Sequence, residues 1–244
     1  MAQKVCCEIE RVIDHGERVY SLVLRSEHLL PRFQPGQFLH LALDEYQPGD
    51  FWPDSRAFSI ASSPSDRQSL RLTYAVKGNF TGRMEAELAV GRTVWIKLPH
   101  GEFIIAAAPQ ICLLAGGTGI TAFTAFIAGL APDYPGRIYL AYGARRADLL
   151  IYRPLVEAAR QHCSNLLVWY FVEEPLSDKF VGKESDLDAC HTGRIDATRV
   201  WEALPEPTNA HFYLSGPPVM LQALSQAFIK LGALVDRLHI DAWE

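Results

Sequence analysis

The segment Ile111-Cys112-Leu113-Leu114-Ala115-Gly116-Gly117-Thr118-Gly119-Ile120-Thr121-Ala122 constrains the fold more than any other part of the chain. A short apolar run breaks into a glycine-rich turn, and a second apolar stretch begins at once. That order predicts a buried strand, a tight turn and a helix. Gly117-x-Gly119-x-x-Ala122 fits the dinucleotide fingerprint, in which glycines let the backbone approach a pyrophosphate and the helix N-terminus offers unpaired N–H groups. A plain strand-to-helix connection uses the same residues, so the motif alone leaves both readings open.

The sequence on either side differs in rhythm. Residues 1–102 hold six short alternating runs, Val5–Glu10, Arg18–Arg25, Gln37–Leu43, Ala57–Ala61, Leu70–Val76 and Thr93–Leu98, separated by Gly, Pro, Asp and Ser. Such punctuation predicts an antiparallel sheet closed into a small barrel. A short helix over Thr81–Ala89 interrupts it, with Thr81 as its cap and Gly91 just past its end. Pro99-His100-Gly101-Glu102-Phe103 reads as the link out of the barrel. Residues 103–244 then alternate strands (Ile111–Ala115, Ile138–Tyr142, Leu166–Phe171, His211–Leu214) with helices (Thr121–Leu130, Pro154–His162, Pro218–Leu231). This order predicts crossover connections and a parallel sheet. The expected fold class is therefore β + α/β, a six-stranded antiparallel barrel domain (1–102) followed by a parallel-sheet nucleotide-binding domain (103–244).

A second motif lies in the barrel half. Arg56-Ala57-Phe58-Ser59 places Arg56 and Phe58 on one face of a strand and Ala57 and Ser59 on the other. With Gly116-Gly117-Thr118-Gly119 about sixty residues on, it resembles the ferredoxin-NADP reductase superfamily of flavoenzymes, and the resemblance extends over nearly the whole chain. It implies that Arg56 binds a flavin phosphate through its planar donor fork. It also implies that Ala57 and Phe58 lie along the flavin, that Ser59 hydrogen-bonds near the reactive flavin nitrogen, and that Tyr74 and Val76 complete the flavin contact. Gly78-Asn79-Phe80-Thr81 is similar to the segment that binds the flavin pyrophosphate at a helix start, which brings Gly78, Phe80 and Thr81 into the site and favours FAD over FMN.

In the second half the resemblance assigns Gly117, Thr118, Gly119 and Thr121 to the nicotinamide nucleotide. Arg145 lies in a turn, Gly143-Ala144-Arg145, like the family's Gly-Ala-Arg. Ser215-Gly216-Pro217 matches the Cys-Gly-Pro turn beside the nicotinamide, with serine in place of cysteine. Ser59 and Ser215 are thus the catalytic candidates, and Trp243 is a candidate for stacking on the flavin. Arg145 and Arg146 would suit a 2′-phosphate, but the resemblance implies that Asp148, Glu173 and Glu174 stand where NADP-specific relatives tend to have serine and arginine, which favours NADH over NADPH.

The implied activity is NAD(P)H-dependent flavoprotein oxidoreduction. Hydride passes from NADH to bound FAD, and electrons then go to a separate acceptor protein, a ferredoxin or an oxygenase component. Two alternatives stand beside it: an NAD(P)H:flavin oxidoreductase that treats flavin as a diffusing substrate, and a flavin-binding relay subunit of a larger complex. A net charge of −5 argues against nucleic acid as a partner. Five cysteines without regular spacing argue for reduced thiols and show neither an iron–sulfur pattern nor a metal site. Without a signal peptide or a membrane-length apolar run, the expected location is cytoplasmic.

Overall fold

The computed structural model describes residues 2–174 and 190–241. The chain divides into two compact units, one comprising Met1–Ile104 with Thr121–Phe126, the other Ile105–Ile120 with Ile127–Glu244.

The first unit is built on β1 (Gln3–Asp14), β2 (Val19–Arg25), β3 (Phe38–Ala42), β4 (Ser55–Ser59), β5 (Ser69–Ala75) and β6 (Thr93–His100). They form one antiparallel sheet in the order β4-β3-β6-β1-β2-β5. The two edges curl toward each other. Just beyond β4, the Ala61 N–H donates to the Arg71 carbonyl of β5 at 2.8 Å, and the Arg71 N–H donates to Ser62 Oγ at 3.1 Å, so the barrel is nearly closed. Alternation dictates what fills it. Leu22, Leu24, Leu39, Leu41, Leu70, Leu72, Val94 and Ile96 are inward residues buried in one cluster. Each such side chain contributes roughly 1.5–3 kcal/mol through burial.

Helix α1 covers Asn79–Glu87, two residues earlier than the pattern predicts. Gly78, in extended conformation, is the N-cap, and Thr81 is the third helical residue rather than the cap. The Thr81 hydroxyl reaches backwards, accepting from the N–H groups of Lys77 (2.9 Å) and Gly78 (3.1 Å). A threonine here satisfies backbone donors preceding the helix as well as one at the cap could satisfy donors within it, so composition alone does not separate the two. Phe80 and Met84 are the buried anchors of α1. The predicted link residues Pro99 and His100 belong to β6 instead, because pairing with β1 reaches Leu98 and pairing with β3 reaches His100.

The second unit carries β7 (Gln110–Gly116), β8 (Arg137–Ala144), β9 (Leu166–Val172), β10 (Cys190–Thr192), β11 (His211–Ser215) and β12 (Leu238–Asp241). All pairings are parallel, in the order β10-β9-β8-β7-β11-β12. Every residue of β7 is buried, as expected of a central strand covered on both faces. The helices that follow β7 along the chain are α2 (Thr121–Ala128), whose residues 121–126 belong to the first unit, and α3 (Arg153–His162), α4 (Ala197–Ala203) and α5 (Pro218–Leu231) of the second. Pro218 opens α5, and Gly232, at φ 108°, closes it. Strands β10 and β12 and helix α4 go beyond the sequence reading. α4 is short, and Asp196 caps it by accepting from the N–H groups of Thr198 and Arg199. Among the described residues no helix is long and apolar enough to cross a membrane, and no group of His, Cys, Asp and Glu is arranged to hold a metal ion.

Candidate active site

Strand register sorts the first motif. Arg56 pairs with Leu41 and Phe58 with Leu39, whereas Ala57 pairs with His40 and Ser59 with Phe38. Cross-strand partners share a face, so Arg56 and Phe58 leave β4 on one side and Ala57 and Ser59 on the other. The Arg56 guanidinium carbon lies 5.2 Å from the Phe80 ring centroid, which joins β4 to the start of α1. Phe58 meets Tyr74 edge-on at 6.3 Å, and Tyr74 stacks on Tyr20 at 5.6 Å. Burial raises the Tyr74 hydroxyl well above its ordinary pKa, so it stays neutral. Val76, directly after β5, donates its N–H to the Arg18 carbonyl at 3.0 Å.

The Arg56 side chain is 56% exposed, and its Nη1 donates to Asp54 Oδ1 (2.7 Å) and to the Ser55 carbonyl (2.8 Å). Asp54 is a partner that the sequence reading lacks. The neighbouring first turn of α1, Asn79-Phe80-Thr81, holds no acidic side chain. Its N–H groups have no acceptor within the helix, so this end carries uncompensated positive dipole. A Cβ built on Gly78 would meet nothing within 4 Å. Positive charge, helix-start donors and open space on one side of the barrel suit a phosphate group.

In the second unit the chain leaves β7, builds outward through β8, β9 and β10, and returns to β11 on β7's other flank. The carboxyl ends of β7 and β11 therefore meet at a topological switch point, where open α/β sheets bind their ligands. Both predicted motifs sit there. Gly117 adopts φ +54° in a 3-10 turn, Gly117–Ile120, that carries Thr118 and leads into Thr121 of α2. A Cβ at Gly117 would stand in open space, whereas one at Gly119 would collide with the Ser215 carbonyl and come within 2.6 Å of the Gly216 nitrogen. Gly117 thus serves backbone conformation and Gly119 serves close approach. Pro217 is the N-cap of α5.

Ser215 is buried, and its hydroxyl donates to Asp241 Oδ2 at 2.9 Å across the β11–β12 pairing. Asp241 is the second partner absent from the sequence reading. The alternation of Leu238-His239-Ile240-Asp241 is the signal that could have revealed the strand. Trp243 lies outside the described residues. Arg145, just past β8, faces Glu174 at 3.6 Å. The structure thus groups Arg56, Phe58, Tyr74, Phe80 and Thr81 in one unit, and Gly117, Gly119, Ser215, Gly216 and Pro217 in the other. Arg145 stands apart, one strand along.

Residues 113–226 match the oxidoreductase NAD-binding domain family. Over 99% of both chains, the structure superposes on a ferredoxin NADP+ reductase from Neisseria gonorrhoeae with a TM-score of 0.77 at 16% identity. The chain has the ferredoxin-NADP reductase fold and carries an oxidoreductase NAD-binding domain. Sequence relatives are longer than this chain. The reductase component of phenol 2-monooxygenase from Pseudomonas sp. (strain CF600) is 28% identical over 239 residues, covering 94% of this chain and 62% of the relative. A flavohemoprotein from Rhizobium meliloti (strain 1021) is 23% identical over 220 residues, covering 86% of this chain and 53% of the relative. The chain thus spans about half to three-fifths of these relatives. The NAD-binding match runs from β7 into α5.

Proposed function

We propose that this chain is an NAD(P)H-dependent flavoprotein reductase. On this reading it binds FAD on the barrel and a nicotinamide nucleotide on the parallel sheet, and supplies electrons to a separate acceptor protein. The observation that carries the reading is the presence, in one chain, of two anion-ready cradles, one at the start of α1 beside Arg56 and one at the β7–β11 switch point. Each suits a pyrophosphate. The solved ferredoxin NADP+ reductase is described with bound FAD and NADP, which supports the same pair of ligands here.

The residues then have separable tasks. Arg56 exchanges Asp54 for a phosphate, using two parallel N–H donors. The α1 start, with Gly78 and Thr81, takes the pyrophosphate and so favours FAD over FMN. Phe58 and Tyr74 form an aromatic wall for the ring system, and Val76 extends it. Ala57 and Ser59 present the opposite face of β4, where the Ser59 hydroxyl is the candidate polar contact. On the sheet, Gly117, Thr118 and Thr121 surround the nucleotide pyrophosphate, and Gly119 lets β11 come close. Because Asp241 holds the Ser215 proton, the hydroxyl oxygen faces a bound nicotinamide as an acceptor. Gly216 and Pro217 shape that turn. Arg145 lies toward the adenosine end.

When bound, the flavin supplies the redox chemistry, taking two electrons together as hydride and releasing them singly. That property suits a one-electron acceptor such as a ferredoxin or an oxygenase component, and the kinship with an oxygenase reductase component favours it. The division into domains 1–102 and 103–244 belongs to the same proposal.

The test is an absorbance spectrum of the purified protein, anaerobic addition of NADH, and identification of the flavin released by heat. Stoichiometric FAD that bleaches is the expected result. A colourless protein that oxidises NADH only when free flavin is added would overturn the bound-flavin reading. Bound flavin that NADH fails to reduce would overturn the reductase reading.

A further inference from the structure

The two nicotinamide nucleotides differ by a single phosphate on the adenosine ribose. In dinucleotide-binding sheets that ribose lies at the carboxyl end of the strand that follows the glycine turn, where an acidic residue binds the 2′-hydroxyl or an arginine accommodates the 2′-phosphate. Here that strand is β8, and Arg145-Arg146 follows it directly. The two arginines taken by themselves suit the phosphate, although the acidic residues Asp148, Glu173 and Glu174 already weigh toward NADH in the sequence.

The structure assigns them otherwise. Arg146 donates from Nε and Nη2 to the two carboxylate oxygens of Asp148, both at 3.0 Å, so one edge of its fork is filled by a bidentate pair. Arg145 Nε faces Glu174 Oε1 at 3.6 Å. After β10, Arg194 Nε donates to Glu173 Oε2 at 3.0 Å. The carboxylates are held in place by backbone pairing, since the Glu173 N–H donates to the Ala144 carbonyl and the Glu174 N–H to the Arg145 carbonyl, continuing the β8–β9 ladder past its end. Among the described residues, these three arginines face three carboxylates.

We propose that this ion-pair cluster at the ends of β8, β9 and β10 makes the chain select NADH over NADPH. The inference rests on the reading that the parallel sheet binds a nicotinamide nucleotide. A 2′-phosphate, close to doubly charged, has to displace a carboxylate from its arginine or sit beside three carboxylates. A 2′-hydroxyl meets neither obstacle and can donate to one of them. Discrimination of this kind works by repelling the wrong ligand as much as by attracting the right one. Because the pairs are partly exposed, the expected preference is moderate, on the order of 10- to 100-fold in affinity.

The test measures NAD+ and NADP+ affinity by calorimetry, and NADH and NADPH oxidation in parallel, for the wild-type chain and for Asp148→Asn, Glu174→Gln and the double variant. Glu10→Gln, which removes the same charge from an exposed pair with Arg25 in the barrel, is the control. The expected result is tighter NAD+ binding by the wild type, with the NAD+/NADP+ ratio falling about tenfold for each carboxylate neutralised in the cluster and unchanged in the control. Equal or tighter NADP+ binding by the wild type would overturn the proposal, as would a ratio that the cluster variants leave in place. Failure to bind either nucleotide would instead overturn the underlying reading of the sheet.

Discussion

Replacing Gly119 by alanine tests whether the glycine turn is a ligand device or only a connection. Gly119 has no positive φ, so alanine suits its backbone and the whole effect is steric. The added Cβ would meet the Ser215 carbonyl oxygen, the Ser215 carbonyl carbon at 2.5 Å and the Gly216 nitrogen at 2.6 Å. Carbon contacts settle at about 3.5–4.0 Å, so the end of β11 must retreat by about 1 Å. Overpacking against backbone costs roughly 1–3 kcal/mol. At about 2–4 °C per kcal/mol for a chain of this size, the melting temperature should fall by about 2–12 °C.

The functional cost should exceed the stability cost, because the retreat moves Ser215 and Gly216, the proposed nicotinamide contacts. A misplacement of about 1 Å can lower turnover by about 100-fold. Gly82→Ala is the matched control. It lies within α1, where a Cβ meets nothing within 4 Å, and alanine there should stabilise by roughly 0.5–1 kcal/mol. Thermal melts and NAD+ titrations of both variants decide the matter. A Gly119→Ala protein with unchanged melting temperature and unchanged NAD+ affinity would refute the close-approach argument.

Arg56→Ala should lower flavin affinity by roughly 10- to 100-fold, the worth of a lost charge-assisted contact, with little change in melting temperature. Arg56→Lys should recover only part of it, because an ammonium lacks the planar fork. Flavin retained on gel filtration reports both variants. Ser215→Ala removes the donor from Asp241 and should destabilise by about 1–2 kcal/mol while slowing NADH-dependent flavin bleaching; denaturant titration and anaerobic stopped-flow absorbance check the two effects. His100 stacks on Phe38 at 5.6 Å and meets His40 edge-on at 5.0 Å, and its Nε2 is buried without a hydrogen-bond partner among the described residues. Burial, then His40, then Lys97 lower its pKa below 6.5. The unfolded chain therefore binds the proton more readily, so this contribution to stability is complete above pH 6.5 and is lost as the pH falls toward the folded-state value. Melting temperatures across that window should decline with acidification, and His100→Gln should flatten the decline.

The parts of this fold that are legible in the sequence are those whose physics is local. Alternation on β2, β3, β5 and β6 marks strands because inward positions repeat every second residue, and the unbroken apolar run of β7 marks a strand buried on both faces. Pro218 and Gly232 bracket α5 by chain stiffness and left-handed geometry. β10 and α4 escape because three or seven residues hold too little periodicity to stand out. α1 starts two residues before the position the sequence predicts because a threonine satisfies backbone donors equally well from the cap or from the third helical position.

The site divides along the same line. Glycine at 117 and 119 is visible because a missing Cβ is a property of the residue itself. The partners of the charged and hydroxyl groups are not, because strand order and loop path decide them. Ser215 and Asp241 are 26 residues apart and become neighbours only because β12 returns from α5 to pair in parallel with β11, in the register that sets 215 against 241. The pair of Arg146 with Asp148 is local, whereas Glu174 meets Arg145 only because β9 lies beside β8. Composition puts arginines and carboxylates in the same region of the sequence, and for Arg145 and Arg194 the sheet order decides which carboxylate each one faces.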